Sequence, residues 1–263
     1  MALRNLSMDL AELMWRPLNS EERRAMRLVA AVRRRLEAST ELIADPEGRM
    51  RRLGQQAVVV SVPAPKSQLL YRLVRAARPM KVLEFGSAFG VSGMTIGAAL
   101  EANQHGELVT FELSPVRSRI AGETIAQVTK RATAVCASYM DQLELLSDAD
   151  LLFFDGFKDE DACRKVLAAA LDQMKAPAVV VVDDVSSWPE VTAAWGDAAD
   201  DHRFTAAGSQ GDVGVGLIGD VDLGVRGTAP WLWPLVQKAN RVRPRELLRR
   251  RRMAHAQADR DRA

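Results

Sequence analysis

Short apolar segments alternate with helical patterns over most of this chain, and that alternation limits the folds open to it. Five segments have the pattern of strands: Lys81–Phe85, Leu108–Glu112, Thr133–Ala137, Asp150–Asp155 and Ala178–Asp183. The predicted helices around them are Ser67–Ala77, Ser92–Leu100, Pro115–Thr129, Glu160–Met174 and Glu190–Ala199. Strands joined by helices of about ten residues form right-handed crossovers, which predicts a mostly parallel sheet covered on both faces.

Two further strands are predicted at Arg203–Ala207 and Val213–Ile218. Only a short connection that contains glycine separates them, whereas a parallel crossover needs a dozen or more residues. The last strand is therefore predicted to run antiparallel to its neighbours. The predicted fold class is α/β: a doubly wound seven-stranded sheet, mostly parallel with an antiparallel last strand, preceded by N-terminal helices.

The first sixty residues have a helical pattern. Leucines recur at spacings of three and four from Leu3 to Leu13, and Ser20 precedes two glutamates in the manner of an N-cap. We predict a helix from Ser20 to about Ile43, an interruption at residues 45–48, and then a short helix and an extended piece. Three regions follow: a helical cap over residues 1–60, the sheet domain over 61–224, and a Trp-containing, Arg-rich extension over 225–263.

Composition excludes several other classes of protein. With 263 residues, 48% hydrophobic and 27% charged, the chain is globular rather than collagenous, disordered or disulfide-dense. It has no run of about 18 apolar residues and no secretory pattern at its start, so we expect no membrane span and a cytoplasmic location. The two cysteines, Cys136 and Cys163, are predicted to be buried free thiols.

Basic residues are concentrated near the carboxyl end. Residues 239–263 contain nine arginines against three acidic residues, which leaves the first 238 residues at a net charge of −4. Such a tail is either a solvated helix or a contact for an acidic partner or membrane surface. Together with the apolar run 229–235 it could dock on the domain, close a homodimer or make weak contact with a membrane. The acidic core argues against a nucleic-acid partner.

The run from Val82 to Ser92 is the sharpest motif. A strand that ends Glu84-Phe85 is followed by Gly86 and Gly90 and then by a helix, so the backbone of this turn can approach a ligand closely. The spacing is neither the dinucleotide fingerprint nor a phosphate loop. The motif therefore predicts a cofactor of another kind, or else a turn that serves only packing.

A second acidic residue supports an adenosine ligand. Glu112 ends the next strand, 28 residues after Glu84. In doubly wound sheets a carboxylate at this position accepts hydrogen bonds from the two ribose hydroxyls. The combination resembles the class I S-adenosylmethionine-dependent methyltransferases, whose sheet is Rossmann-like with an antiparallel seventh strand.

Further motifs narrow the resemblance to the catechol O-methyltransferase type of small-molecule O-methyltransferase. The run from Val62 to Gln68 stands where that family closes over the cofactor, and Asp155-Gly-Phe157-Lys158 resembles its Asp-x-aromatic-Lys signature. Asp183-Asp184 stands at the position of the family's Asp-Asn metal pair. The resemblance covers residues 60–184. Asp184 in place of asparagine, and Gly156 in place of a bulkier residue, are its two departures.

The residues and the resemblance together assign a site. The predicted S-adenosylmethionine ligands are Val62, Glu84, Gly86, Ser87, Gly90, Ser92, Glu112, Ser138 and Asp155. The carboxylates of Asp155, Asp183 and Asp184 should converge at neighbouring strand ends, which suits a divalent cation, Mg2+ above all. The resemblance implies that Lys158 is the general base for a substrate hydroxyl, and that Phe157 is a substrate wall.

The function expected from these motifs is methyl transfer to a hydroxyl of a small molecule, assisted by a cation. Methylation of a sugar hydroxyl or a nitrogen, and a catalytically silent cofactor-binding module, are the alternatives left open. Lys158 could instead be a solvated loop residue, Asp183-Asp184 a helix cap, and Ser138 a turn serine. Trp188 and Trp195 are expected in the core.

Overall fold

The structure, a computed structural model, describes residues 6–45, 48–156 and 158–225. Its first elements are helices α1 (Leu6–Trp15) and α2 (Ser20–Glu37), strands β1 (Leu42–Ala44) and β2 (Met50–Arg52), and helix α3 (Leu53–Val60). The predicted N-cap of α2 is wrong by one residue. Asn19 has extended backbone and accepts a hydrogen bond from the amide of Glu22 at 2.9 Å, while the Glu22 carboxylate accepts the Asn19 amide at 2.8 Å. Ser20 is the first helical residue.

The prediction that α2 continues to Ile43 is also wrong. The helix ends at Glu37, and Ile43 lies in β1, which pairs antiparallel with β2. Ile43 is buried, so pairing of β1 with β2 places this apolar side chain in the core. The Asp45 carboxylate closes the turn, because it accepts the Arg49 amide at 2.8 Å. The extended piece therefore precedes the short helix, which reverses the predicted order.

The main sheet has seven strands in the described part of the chain, in the spatial order β5-β4-β3-β6-β7-β9-β8. Their bounds are β3 Lys81–Phe85, β4 Glu107–Glu112, β5 Ala132–Cys136, β6 Leu151–Phe154, β7 Ala178–Asp183, β8 Ala206–Gln210 and β9 Val213–Ile218. All pairings from β5 to β7 are parallel, and β9 runs antiparallel to both of its neighbours. The predicted α/β fold class is confirmed.

Strand β9 lies between β7 and β8, and its direction has a consequence for the site. Val213 at its start pairs with Asp183 at the end of β7, so residues that precede β9 lie at the edge where the parallel strands end. Strand β8 begins three residues later than predicted. Phe204 is buried beside Trp195, with ring centroids 6.1 Å apart, and Arg203 is held by Asp201 before the strand starts.

Helices cover both faces of the sheet. They are α4 Ala64–Ala77, α5 Val91–Asn103, α6 Pro115–Ile125, α7 Glu160–Gln173 and α8 Pro189–Ala199, with a 3-10 helix at Tyr139–Asp148 that the sequence did not predict. Successive valines of β7 face opposite sides. Val179 and Val181 pack with α1, α2, α4 and α5, whereas Val180 and Val182 pack with α7 and α8. This alternation is why the strand is apolar throughout.

A buried arginine joins the N-terminal helices to α4. The Arg72 side chain donates to both carboxylate oxygens of Glu22, at 2.8 and 2.9 Å, and to the backbone carbonyls of Leu13 and Arg16. Only 2% of Arg72 is exposed. The acceptors lie at the end of α1 and in the first turn of α2. The side chain of Arg72 therefore holds both N-terminal helices against α4.

The cysteines and tryptophans differ in burial. Cys163 and Trp195 are buried as predicted and Trp188 is partly buried, whereas Cys136 is exposed because it ends the outer strand β5. No helix in the described ranges has the length and apolar character needed to cross a membrane. Phe157 and most of the predicted extension, residues 226–263, lie outside the described residues, and the three-region division stays a prediction.

Candidate active site

The carboxyl ends of four neighbouring strands form the candidate site. Glu84 and Glu112 lie in the last residues of β3 and β4, Asp155 directly follows β6, and Asp183 ends β7. The Asp155 amide donates to the Phe85 carbonyl at 2.9 Å, which ties the end of β6 to the end of β3. The sheet thus brings the predicted cofactor carboxylates and the predicted cation carboxylates to one edge.

The turn after β3 is formed by glycine geometry. Gly86 has φ +102°, and a Cβ there would lie 2.3 Å from the Asp155 carbonyl oxygen. Gly90, with φ +84°, begins α5. The amides of Gly86 and Ser87 both donate to the Phe111 carbonyl, at 3.0 and 3.1 Å. A side chain at Gly86 would displace the loop that carries Asp155, so glycine is what lets the turn pack closely against that loop.

Glu84 is the most unusual residue of this turn. It is fully buried, and neither carboxylate oxygen has a hydrogen-bond partner within the described residues. Burial raises its pKa from 4.5 to about 7, and the nearby hydroxyls of Ser92 and Thr110 offset only part of that rise. Ser87, which follows Gly86, has a buried hydroxyl that also lacks a hydrogen-bond partner among the described residues. Such unsatisfied groups are expected where a polar ligand completes a site.

Glu112 lies one strand away, and its carboxylate accepts two backbone hydrogen bonds. One carboxylate oxygen accepts the Ala88 amide at 3.1 Å, and the other accepts the Ser114 amide at 2.9 Å. Each oxygen retains a further lone pair, so the carboxylate can still accept hydrogen bonds from a diol. Glu112 therefore links the glycine turn to the position predicted for the ribose.

Two predicted cofactor residues have other contacts in this structure. The Ser138 hydroxyl accepts the Met140 amide at 3.3 Å and caps the 3-10 helix, which is the turn-serine role left open above. Val62 is buried, and its carbonyl accepts a hydrogen bond from Arg33 at 2.6 Å. Its side chain lines a small cavity together with Lys66 and Asp183. Val62 thus lies next to the acidic residues, and its role toward a cofactor stays a prediction.

Lys158 forms an ion pair within the site. Its ammonium lies 2.8 Å from an Asp155 carboxylate oxygen and 3.2 Å from an oxygen of Asp184. Burial lowers the pKa of Lys158, but Asp155 and Asp184 outweigh it, so the pKa is raised above its ordinary value. Lys158 is therefore no solvated loop residue. A general base would need a pKa near neutrality, whereas the pKa of Lys158 is raised in the protein without bound ligands.

A second lysine, which the sequence analysis did not assign, enters the acidic cluster. The Lys66 ammonium contacts Asp183, and it lies 3.3 Å from Asp184 and 3.4 Å from Asp212. Ligand oxygens of these three aspartates lie within 4.8 Å of one another. Burial and the charge of Asp155 raise the pKa of Asp183 to about 7 despite Lys66. Asp155 also has a raised pKa, chiefly because of burial.

Both missed residues had a signal in the sequence. Asp212 immediately precedes the strand predicted to be antiparallel, and the start of such a strand lies at the edge where parallel strands end. Lys66 lies within the Val62–Gln68 segment already placed over the cofactor. In both cases the residue type suggested an exposed charge, and only the three-dimensional neighbours show that it is enclosed.

Comparison with known proteins identifies the domain. Residues 83–185, which include the glycine turn and both acidic strand ends, match a family model described as a methyltransferase domain. Over these residues the chain is similar to a methyltransferase domain. This confirms the resemblance drawn from the sequence to the class I S-adenosylmethionine-dependent methyltransferases. No curated protein matches the chain.

Solved structures resemble this methyltransferase domain and its flanking elements. One is the O-methyltransferase TomG from Streptomyces achromogenes, involved in tomaymycin synthesis and determined in complex with SAM. It is 20% identical, with a TM-score of 0.54, and the match covers 82% of this chain and 96% of TomG. At this identity the likeness establishes the shared fold.

Two further structures agree. The SAH-bound Podospora anserina methyltransferase PaMTH1 is 18% identical with a TM-score of 0.53, over 78% of this chain and 100% of that one. A putative caffeoyl-CoA O-methyltransferase from Staphylococcus aureus is 17% identical with a TM-score of 0.53, over 63% and 88%. The Rossmann-like methyltransferase fold is therefore shared with enzymes of the type that the sequence resembles.

The residues of the methyltransferase domain fit S-adenosylmethionine. The cofactor carries an ammonium group and a ribose diol, which match the unpartnered Glu84 carboxylate and the free lone pairs of Glu112. Gly86 and Gly90 let the turn approach the backbone at Asp155 and Ala121 more closely than a residue with a Cβ could. The predicted ligands on β3 and β4 therefore lie in one place with the chemistry that the cofactor requires.

The residues do not fit a divalent cation in the same way. A Mg2+ ion needs oxygen ligands at about 2.0–2.1 Å, but the Lys66 ammonium already lies among the three aspartates that would supply them. Asp155, the third predicted metal ligand, is bound to Lys158 instead. An ammonium and a metal ion cannot share one position, so no step below is derived through a metal.

Proposed function

We propose that this chain transfers a methyl group from S-adenosylmethionine to a hydroxyl of a small molecule. The observation that carries the proposal is the buried, unpartnered Glu84 beside the Gly86 turn, one strand away from the Asp155–Lys158 pair. A cofactor site and a proton-handling pair on adjacent strands are what such a reaction needs. The O-methyltransferases among the structural neighbours support the same reaction.

The cofactor-binding residues orient the methyl donor. Glu84 would accept the cofactor's ammonium group and Glu112 its ribose hydroxyls, so groups on both sides of the sulfur are held by carboxylates on neighbouring strands. When bound, the cofactor supplies an electrophilic methyl group on a positively charged sulfur. Holding that group in line with an acceptor oxygen accounts for much of the rate in a displacement of this kind.

Lys158 would hold and deprotonate the acceptor hydroxyl. Its pKa is raised by Asp155 and Asp184, so Lys158 is protonated before ligands bind. The positive charge on the sulfur of the bound cofactor would lower that pKa again. Once its own proton has passed to solvent, Lys158 would take the hydroxyl proton as the bond from oxygen to the methyl carbon forms and the bond from that carbon to sulfur breaks, with S-adenosylhomocysteine as the leaving group. This mechanism does not use the cation assistance expected from the sequence.

The first test is calorimetric titration with S-adenosylhomocysteine. We expect micromolar binding by the wild type, and 10- to 100-fold weaker binding by Glu112→Gln, because the neutral amide accepts the ribose hydrogen bonds less strongly. Glu107→Gln is the matched control, since Glu107 is exposed at the opposite end of the same strand. Absence of binding by the folded wild type would remove the proposal, and equal losses in both variants would remove the role of Glu112.

The second test concerns Lys158. Wild type and Lys158→Met are assayed for methyl transfer to a panel of phenols, sugars and amines. We expect transfer to a hydroxyl, and a fall in kcat of about 100-fold or more in the variant with unchanged S-adenosylhomocysteine affinity. Lys165→Met, a change at an exposed lysine of α7, should leave kcat unchanged. Cofactor binding without transfer to any acceptor would favour the silent binding module instead.

A further inference from the structure

Lys66 is placed where neither its helix nor its surroundings would favour an ammonium on their own. It lies in the first turn of α4, where the helix dipole disfavours positive charge. Its side chain is 13% exposed. The cavity beside it is lined by Val62, Leu69, Phe153 and Val181, all apolar. Asp183 also lines this cavity, and the three aspartates that the ammonium contacts are therefore what holds the charge in place.

Every donor of Lys66 is engaged. An ammonium has three N–H groups, and the Lys66 ammonium contacts three carboxylates, those of Asp183, Asp184 and Asp212. These carboxylates come from the end of β7 and the start of β9, two antiparallel neighbours. The Lys66 ammonium thus lies among the same carboxylate oxygens that would bind a metal ion. It is enclosed by them as a bound cation would be, unlike the lysine of a surface ion pair.

The three carboxylates have further polar contacts besides Lys66. The Asp212 oxygens accept the Ser186 amide at 2.8 Å and the Ser187 hydroxyl at 2.5 Å. Asp183 accepts the Asp184 amide at 2.8 Å, and the second oxygen of Asp184 faces Lys158 at 3.2 Å. A divalent ion would have to displace the Lys66 ammonium from the three carboxylates, and separating a largely buried charge from its partners is unfavourable.

We propose that the Lys66 ammonium is the resident cation of the Asp183–Asp184–Asp212 cluster and takes the place of a divalent metal. The cluster itself is independent of the proposed function, but its meaning for catalysis rests on that function. Since Lys66 has no donor left, the acceptor oxygen is held by Lys158 alone. The substrate class that follows is a molecule with a single reacting hydroxyl, with no selection for a vicinal pair of oxygens.

The test titrates the full chain with Mn2+ and Mg2+ by calorimetry, with Mn2+ binding repeated by electron paramagnetic resonance. We expect no stoichiometric binding by the wild type at 1 mM Mn2+. Lys66→Met, which keeps the length of the side chain and removes its charge, should gain one Mn2+ site with at least 10-fold higher affinity. Lys66→Arg should not gain it, and Lys66→Met combined with Asp183→Asn should lose it again.

Several results would overturn the inference. One is stoichiometric Mn2+ binding by the wild type below 1 mM, and another is a folded Lys66→Met variant that gains no site. If Lys66→Met does not fold, the wild type and Lys66→Arg still decide the matter through their own Mn2+ titrations. A chelator should change methyl transfer by the wild type less than twofold, and phenol should be methylated at least as readily as catechol.

The parallel titration with S-adenosylhomocysteine keeps the two proposals apart. A wild type that binds S-adenosylhomocysteine and also binds Mn2+ contradicts the role of Lys66 and leaves the proposed function standing. A wild type that binds neither contradicts the proposed function, while the Mn2+ result for Lys66→Met still tests the cluster.

Discussion

Replacing Glu84 with glutamine should stabilise the protein at neutral and alkaline pH while weakening its cofactor binding. The folded protein raises the pKa of this buried carboxyl from 4.5 to about 7. Its folded state therefore holds the proton more tightly than its unfolded state. The stability that this proton contributes is fully present below pH 4.5 and is lost as the pH rises through 7. By this linkage the charged side chain costs about 3 kcal/mol at pH 8, and glutamine removes that cost.

The measurement is urea denaturation of wild type and Glu84→Gln from pH 5 to pH 8.5. We expect the stability difference to grow in favour of the variant as the pH rises. Other titrating groups, Asp183 among them, are common to both proteins and cancel in the comparison. Glu107→Gln, an exposed substitution of the same kind, should show no such trend. A difference that stays constant with pH would mean that Glu84 is not held neutral by burial.

The functional part of this prediction has the opposite sign. Glu84→Gln should bind S-adenosylhomocysteine at least 10-fold more weakly, because an amide cannot pair with the ammonium of the ligand as a carboxylate does. For the same reason the ligand should stabilise the wild type more at pH 8 than at pH 5. A variant that is more stable and yet binds as tightly as the wild type would place the cofactor's ammonium elsewhere.

Replacing Arg72 with methionine should be the most destabilising single change. Arg72 is buried and bonded to both oxygens of Glu22, and its guanidinium holds the pKa of Glu22 down at about 2. Removing it leaves a buried carboxylate unpaired, which costs about 3–5 kcal/mol. At roughly 2–4 °C per kcal/mol for a domain of this size, the Tm should fall by about 10 °C. Thermal and urea denaturation measure both quantities.

A double variant separates the ion pair from the packing. Arg72→Met together with Glu22→Gln removes both charges, and we expect it to recover part of the lost stability, because the unpaired charge is the larger cost. Glu21→Gln is the control. Glu21 is the neighbouring residue and pairs with Arg75, but its side chain is 54% exposed, so its loss should cost less than about 1 kcal/mol. A double variant less stable than Arg72→Met would contradict this account.

The parallel core of the fold follows closely from local sequence. Strands β3 and β7 have the predicted bounds, because β3 ends at the Gly86 turn and the apolar run of β7 ends at a charge, Asp183. The antiparallel direction of β9 was predictable from the length of its connection alone. By contrast, the hairpin β1–β2 has strands of three residues, which are too short for a periodic pattern to register.

The candidate site was predictable in part. Acidic residues at strand ends and glycines at a turn are read directly from the chain, and Glu84, Gly86, Glu112 and Asp155 do lie together. The position of Lys66 was not readable, because a lysine in a first helical turn usually faces solvent. What encloses it is a cluster assembled from two strands more than a hundred residues later in the chain. Such a partner is fixed by topology and not by local sequence.

The position of helix α1 against β8 bears on how the protein avoids self-association. Strand β8 is an outer strand, and outer strands offer free backbone groups that can pair with another molecule. Here the Ser209 amide of β8 donates to the Ser7 hydroxyl of α1 at 3.3 Å, and a Cβ at Gly208 would meet the same hydroxyl at 2.7 Å. The first helix thus covers this part of the strand, so the N-terminal segment protects the sheet from growing by intermolecular strand addition.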